Sequence, residues 1–303
     1  MVAGNRRCFD PIFGSGAPRL LASLLTAEGH VEQFRFNIRF DGLDADDHVI
    51  DMRYFGEALI GLERTLSLGL NTLATGSVPS SRGKLVLAIR ATPPRDGCVQ
   101  FDAVVEMSKG VLPLLKPVLI SAGAKLAMHI VGAVVKRWAG QKKQAKLEVE
   151  AMLDLMRLEK DDRQREREHI ERVIELSRPA AAQIVAPIGR SCESLSLAAN
   201  DDTTVFDVPM AQAVRSKAEL EVGEMETLVL RVDGVVVHSR SLKVEDPNEP
   251  GHFVSAEVRD PAFTDGENIY TQSVTKMLEV QAKATYRDGR LYRLHIMDAK
   301  LAA

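Results

Sequence analysis

Ser191 and Cys192, in the stretch APIGRSCESL, have the most nucleophile-like context in this 303-residue chain, because Pro187 and Gly189 predict a sharp turn that would expose them. The nucleophile-elbow pattern G-x-S-x-G is not met, since Glu193 takes the place of its last glycine, and no base can be assigned to either residue. A turn packed on neighbouring helices is the expected role. The seven histidines form no HExxH motif and no paired spacing with cysteine, so no metal or cofactor is assigned from spacing. Asp44, Asp46, Asp47 and Asp51 lack the glycine and terminal glutamate of a calcium loop, and solvated turn chemistry is expected of them. GSVPSSRGK has six residues between its glycines where a phosphate loop needs four, with Leu85 where Ser or Thr should stand. GSGAPR lacks the third glycine of a dinucleotide fingerprint and has no strand leading into it.

Two further groups could bind without catalysing. Lys136, Arg137, Trp138, Lys142, Lys143 and Lys146 form a basic run with one aromatic, suited to phosphate or to an anionic surface. The simpler reading is a helix C-terminus whose cations complement its dipole, balanced by Glu148, Glu150 and Asp154. The run ends the apolar segment 110–140, long enough to cross a bilayer yet interrupted by Lys116, Lys125 and His129. Nine positions separate the two lysines, so on one helix they point to opposite sides, and no orientation hides both from lipid. That leaves three readings: a buried core helix, a self-association face, or a membrane-active segment over 111–138. The small and apolar positions Leu119, Gly123, Leu126, Ala127, Ile130, Ala133 and Val134 are the candidates for self-association.

These residues must be held by elements legible in the periodicity. QFRFNIRF alternates apolar with polar and predicts a strand with one wet face. Carboxylates precede the helix MRYFGEALIGLERTLSLGLNTLA, which has apolar residues at helical spacing. KLVLAIRA and CVQFDAVVEM predict two more strands, joined by TPPRDG. Residues 144–199 read as helical with little strand signal, and EKDDRQRERE within them is too polar to bury. From about Ala218 the pattern is three strands, a helix over DGENIYTQSVTKM, and two strands, with Asp233-Gly234 and Asp288-Gly289 as hairpin turns. That is the order of elements in a five-stranded OB barrel.

The expected fold is therefore α+β. It divides into an N-terminal arm at 1–30 with a short helix over Arg19–Ala27, a helix-on-antiparallel-sheet domain at 31–143 that includes the long apolar helix, a helical region at 144–199, and an OB-like β-barrel at 200–303. Hydrophobic residues at 45% and charged residues at 27% exclude a disordered chain, and a net charge of −3 excludes a global field for nucleic acid or anionic lipid. Cys8, Cys98 and Cys192 are odd in number and far apart, which argues against a disulfide framework and points to a reducing cytoplasm.

FGEALIGLERTLSL, ATPPRDGCVQFDAVV, VAPIGRSCESLSL and LEVQAKATYRDGRLYRLHIMDA together resemble an uncharacterised family of bacterial proteins, from about Phe34 onward. The resemblance implies an N-terminal α+β unit, a variable middle and a small C-terminal β domain, with some members beside anti-phage defence genes. It carries over no catalytic residue. Cys98 stands where the family's PPxxGS has serine. The function expected from all this is a non-catalytic, cytoplasmic, homo-oligomeric interaction protein, a component of anti-phage defence, with a partner protein encoded nearby and no membrane. The alternatives are single-strand nucleic-acid binding through the barrel and basic run, a membrane-active effector through 111–138, and a hydrolase using Ser191 or Cys192.

Overall fold

The computed structural model describes residues 32–79, 87–93, 99–107, 117–158, 160–264 and 266–302. The predicted N-terminal arm, Cys8, Cys98, Lys116 and most of GSVPSSRGK lie outside them. The fold is mixed α+β, with two five-stranded sheets and, among the described residues, seven α-helices.

The first sheet runs β2 (Leu87–Ala91), β3 (Val99–Met107), β1 (Glu32–Asp41), β4 (Ser194–Ala199) and β5 (Asp202–Asp207), every neighbouring pair antiparallel. Alternation decides its faces. Phe36, Ile38 and Phe40 of β1 point inward with Phe101, Val105, Leu195, Leu197 and Phe206, while Arg35 and Arg39 stay exposed. Helix α1 (Met52–Thr75) lies on the inner face, where the Phe55 ring meets Phe40 and Phe101 edge-on at 5.7 and 5.9 Å. Its start follows the predicted turn chemistry: the Asp51 carboxylate accepts the backbone N–H groups of Arg53 and Tyr54, at 2.9 and 3.2 Å.

Helix α2 (Pro117–Trp138) is the long apolar helix, followed by α3 (Lys142–Leu155), α4 (Lys160–Leu176) and α5 (Arg178–Ile184). It is long and apolar enough to span a membrane, but it packs within the protomer against α1, α3, α5, β1, β4 and β5. Short α6 (Val208–Arg215) follows β5. Because β4 pairs with β1 and β5 with β4, the first unit extends to about residue 215. The expected division into 31–143, 144–199 and 200–303 misplaced this boundary. Ser194–Ala199 is a strand held between β5 and β1, and its pairing with β1, distant in sequence, is what local pattern does not show.

The second sheet closes into a ring. Its strands are β6 (Leu220–Val236), β7 (Ser241–Glu245), β8 (Phe253–Val258), β9 (Met277–Arg287) and β10 (Arg290–Leu301), in the order β10-β8-β7-β6-β9, with β9 pairing back onto β10. Only β8 and β10 run parallel. Asp288-Gly289 is the expected hairpin turn, with φ of 51° and 77°. Asp233-Gly234 is not a turn: β6 runs through it, with a register shift against β7 at that point. The strand reverses through a 3-10 turn at Val237–Ser239, which splits the run VVVHSRSLKV. The predicted helix shrinks to α7 (Ile269–Gln272), capped by Asn268.

The two units meet where the α2–α3 turn touches the first residues of β6. Val222 N–H donates to the Ala139 carbonyl, at 3.3 Å, and Gly140 has φ of 79°. A side chain on Gly140 would collide with the Leu220 carbonyl oxygen, so both its conformation and its surroundings require glycine.

Candidate functional site

Helices α2 and α3 form an antiparallel hairpin, and a cavity of about 760 Å³ opens between the start of α2 and the end of α3. Ser121, Lys125 and His129 line it from α2, Asp154 from α3, Arg157 from just beyond, and Asp202 from β5. Ser121, Lys125, His129, Gly132 and Lys136 follow one another at spacings of four, four, three and four, so they run as one polar seam along an otherwise apolar helix.

At the inner end of the seam, Glu148 of α3 is 8% exposed and bonds to two cations or potential cations. One carboxylate oxygen lies 2.5 Å from His129 Nδ1, and the other accepts from the Lys136 ammonium. Gly132 makes room for this carboxylate, since a Cβ there would sit 3.1 Å from the Glu148 carboxyl carbon. Burial pushes the Glu148 carboxyl upward, but the hydrogen bonds from His129 and Lys136 outweigh it and hold the group below the usual carboxylate range. Glu148 is thus ionised and accepts a hydrogen bond from the Nδ1–H of His129. In the neutral ring Nε2 remains as an acceptor at the cavity wall. Nearer the mouth, Lys125 and Asp202 pair at 2.7 Å, and each favours the other's charged form.

The sequence-based candidates fall in three groups. Leu119, Gly123, Leu126, Ala127, Ile130, Ala133 and Val134 are all buried inside the protomer. Gly123, for instance, lies against the Phe34 ring. They are core, which corrects their assignment to a self-association face: the chain's own helices and strands already occupy that side of α2. The basic run divides. Lys136 turns inward to Glu148, Arg137 lies 3.6 Å from Glu175, and Trp138 donates its indole N–H to the Ile174 carbonyl while Arg178 stacks over its ring. Lys142, Lys143 and Lys146 remain exposed. Arg137, Lys142 and Lys146 share a groove with Glu150, Glu168, Glu171 and Glu175, so the run presents mixed charge rather than a basic face.

Ser191 and Cys192 are buried, at 3% and 0% exposure, which fits the packed turn expected of them rather than the alternative of an exposed nucleophile. The Ser191 hydroxyl accepts the Asp51 backbone N–H at 3.2 Å, its carbonyl accepts that of Ala45, and burial pushes the Cys192 thiol up to about 12. They buckle the Gly42–Asp51 loop to the body, and burial keeps the Cys192 thiol protonated at neutral pH.

Residues 36–215, more than half of the chain, match the family model described as a domain of unknown function, DUF7946. The chain belongs to that family. Residues 224–300 match a second model, the family of unknown function DUF7947, and the border between the two falls where the first sheet ends and the ring begins. No curated protein and no solved structure matches the chain. The seam and its cavity lie wholly within the DUF7946 part.

Sequence reasoning found Lys125 and His129 but read them as interruptions of an apolar segment, and it read Lys136 as part of the basic run. It named Glu148 only as a charge balancing the basic run and missed Asp202; the two join the seam only through the α2–α3 turn and the pairing of β5. The four-four-three-four spacing was the available signal.

Proposed function

We propose that this chain is a non-catalytic binding protein whose DUF7946 part takes a small polar ligand in the α2–α3 cavity. One observation carries the reading: an ionised, nearly buried Glu148, also bonded to Lys136, fixes His129 at the wall of the α2–α3 cavity. Charged clusters of this kind add little stability compared with apolar packing, so their presence at a cavity wall points to a binding role. The ligand offers an N–H or O–H to His129 Nε2 and meets the Lys125–Asp202 pair at the mouth. Among the described residues no hydroxyl or thiol hydrogen-bonds to His129, which favours recognition over covalent chemistry.

The ring joins this unit at the α2–α3 turn through the start of β6. Its order, with strands one, two, three, five and four closing on strand one and a helix between three and four, is the arrangement we read as OB-like. Oligonucleotide binding is disfavoured on β7 and β8, because Lys243 pairs with Asp233 and Arg231 lies near Glu245, with Phe253 the aromatic they offer. Self-assembly, in this reading, uses surfaces other than the buried face of α2. A strict monomer by light scattering at micromolar concentration removes it.

Ligand-observed NMR against amino acids, nucleotides and sugar phosphates tests the binding reading. Compounds that bind the native chain and are lost in a folded His129→Gln variant support it. No binder at millimolar concentration, or binders indifferent to that variant, refutes it.

A further inference from the structure

The loop between β7 and β8, EDPNEPGH, brings two carboxylates and an imidazole to one point. One ligand atom from each of Asp246, Glu249 and His252 lies within 4.8 Å of the others. The backbone fixes the three residues to one another. Asp246 N–H donates to the His252 carbonyl at 2.8 Å, His252 N–H to the Glu249 carbonyl at 3.0 Å, and Glu249 N–H to the Asp246 carbonyl at 3.2 Å.

Asp246 supplies an independent observation. Its side chain is only 6% exposed, and one oxygen, Oδ1, accepts the Asn248 N–H at 2.9 Å. The other, Oδ2, accepts no hydrogen bond among the described residues; it faces His252 Nδ1 at 3.8 Å. That is too long for a hydrogen bond. It is close to the spacing of two ligands on one ion, because metal–ligand distances of about 2.1 Å in tetrahedral geometry place neighbouring ligands roughly 3.4 Å apart. Oδ2 is therefore the Asp246 oxygen that no protein donor occupies, and a cation can reach it without displacing a hydrogen bond of the fold. Glu249 and His252 are exposed and free to close the remaining distance.

We infer that Asp246, Glu249 and His252 form a divalent transition-metal site on the ring. An imidazole with two carboxylates suits zinc, cobalt or nickel better than calcium or magnesium, which prefer oxygen ligands throughout. Three protein ligands leave the fourth tetrahedral position to water or to a donor from another molecule. The loop's hydrogen bonds run between its own residues, the Gly251 N–H to Glu245 among them, so an ion there pins its two ends.

Cobalt(II) added to untagged full-length protein tests the inference, with visible absorption as the readout. One equivalent gives the absorption bands of a tetrahedral ion, zinc displaces them, and equimolar calcium does not. His252→Ala and Asp246→Asn each weaken binding at least tenfold, and Glu249→Gln weakens it less, with circular dichroism unchanged. His252 is exposed, so its variant keeps the ring folded even if Asp246→Asn does not. Absence of bands at 100 µM metal overturns the inference, as do bands that survive His252→Ala or carry the intense near-ultraviolet absorption of cysteine ligation.

Discussion

Two of the polar clusters among the described residues are built in opposite ways. In the α2–α3 hairpin the His129 Nδ1 lies 2.5 Å from a carboxylate that also holds Lys136, and the cluster opens onto a cavity. Where the ring meets α6, His295 is 1% exposed and its Nδ1 has no hydrogen bond, although Glu257 lies 3.6 Å away. Arg259, Arg293 and the Asp207–Lys283 pair crowd the same place, and Gln212 of α6 reaches Glu257. Burial pushes the His295 imidazole down to about 4, so it is neutral at physiological pH and acts as packing. The difference separates charge kept for binding from charge tolerated at a joint. A histidine can be enclosed with an ionised partner and an outlet, or enclosed alone at the expense of its proton.

The largest expected effect comes from breaking the first cluster. Glu148→Ala leaves Lys136 and His129 without their acceptor and should lower stability by about 3 kcal/mol in urea unfolding. The triple replacement His129→Leu, Lys136→Met, Glu148→Leu should recover most of that loss while losing ligand binding. If the triple variant is no more stable than Glu148→Ala, the cluster exists for stability and the contrast with His295 fails.

The second cluster should show itself in the pH dependence. The His295 value falls from 6.5 when unfolded to about 4 when folded, so between these values the unfolded chain binds the extra proton. Stability is full above about pH 6.5 and declines as pH falls toward 4, by up to roughly 3 kcal/mol from this group. Glu148, held below its ordinary 4.5, adds its own loss only under more acid conditions. His295→Leu should therefore flatten the unfolding free energy between pH 6.5 and 4 and leave the lower window intact.

Gly140→Ala probes the joint without touching either cluster. The positive φ and the Leu220 carbonyl together make it cost about 2 kcal/mol, with faster limited proteolysis between residues 215 and 224. The smallest effect should follow Ser191→Ala, about 1 kcal/mol for one hydrogen bond to the Asp51 amide. Cys192 should meanwhile resist alkylation, mapped by mass spectrometry, until the protein unfolds.

Much of the local structure was readable from spacing. The alternation of Phe34, Phe36, Ile38 and Phe40 dictates β1, the acidic residues before Met52 dictate the start of α1, and Asp288-Gly289 dictates the last hairpin, because each depends on neighbours a few residues away. The same spacing misread Asp233-Gly234 as a turn and Ser194–Ala199 as part of a helical region. A bulge and an inner sheet strand are both decided by partners distant in sequence.

By itself the sequence determined an α+β chain with a strand-rich C-terminal third and an apolar helix bearing polar residues at helical intervals. Only the tertiary structure decided what those residues do. Whether Lys125, His129 and Lys136 are flaws in a hydrophobic segment or a functional seam depends on Glu148 and Asp202 arriving opposite them. A charge inside a protein is tolerable only beside its partner, and no local pattern along the chain states which partner that will be.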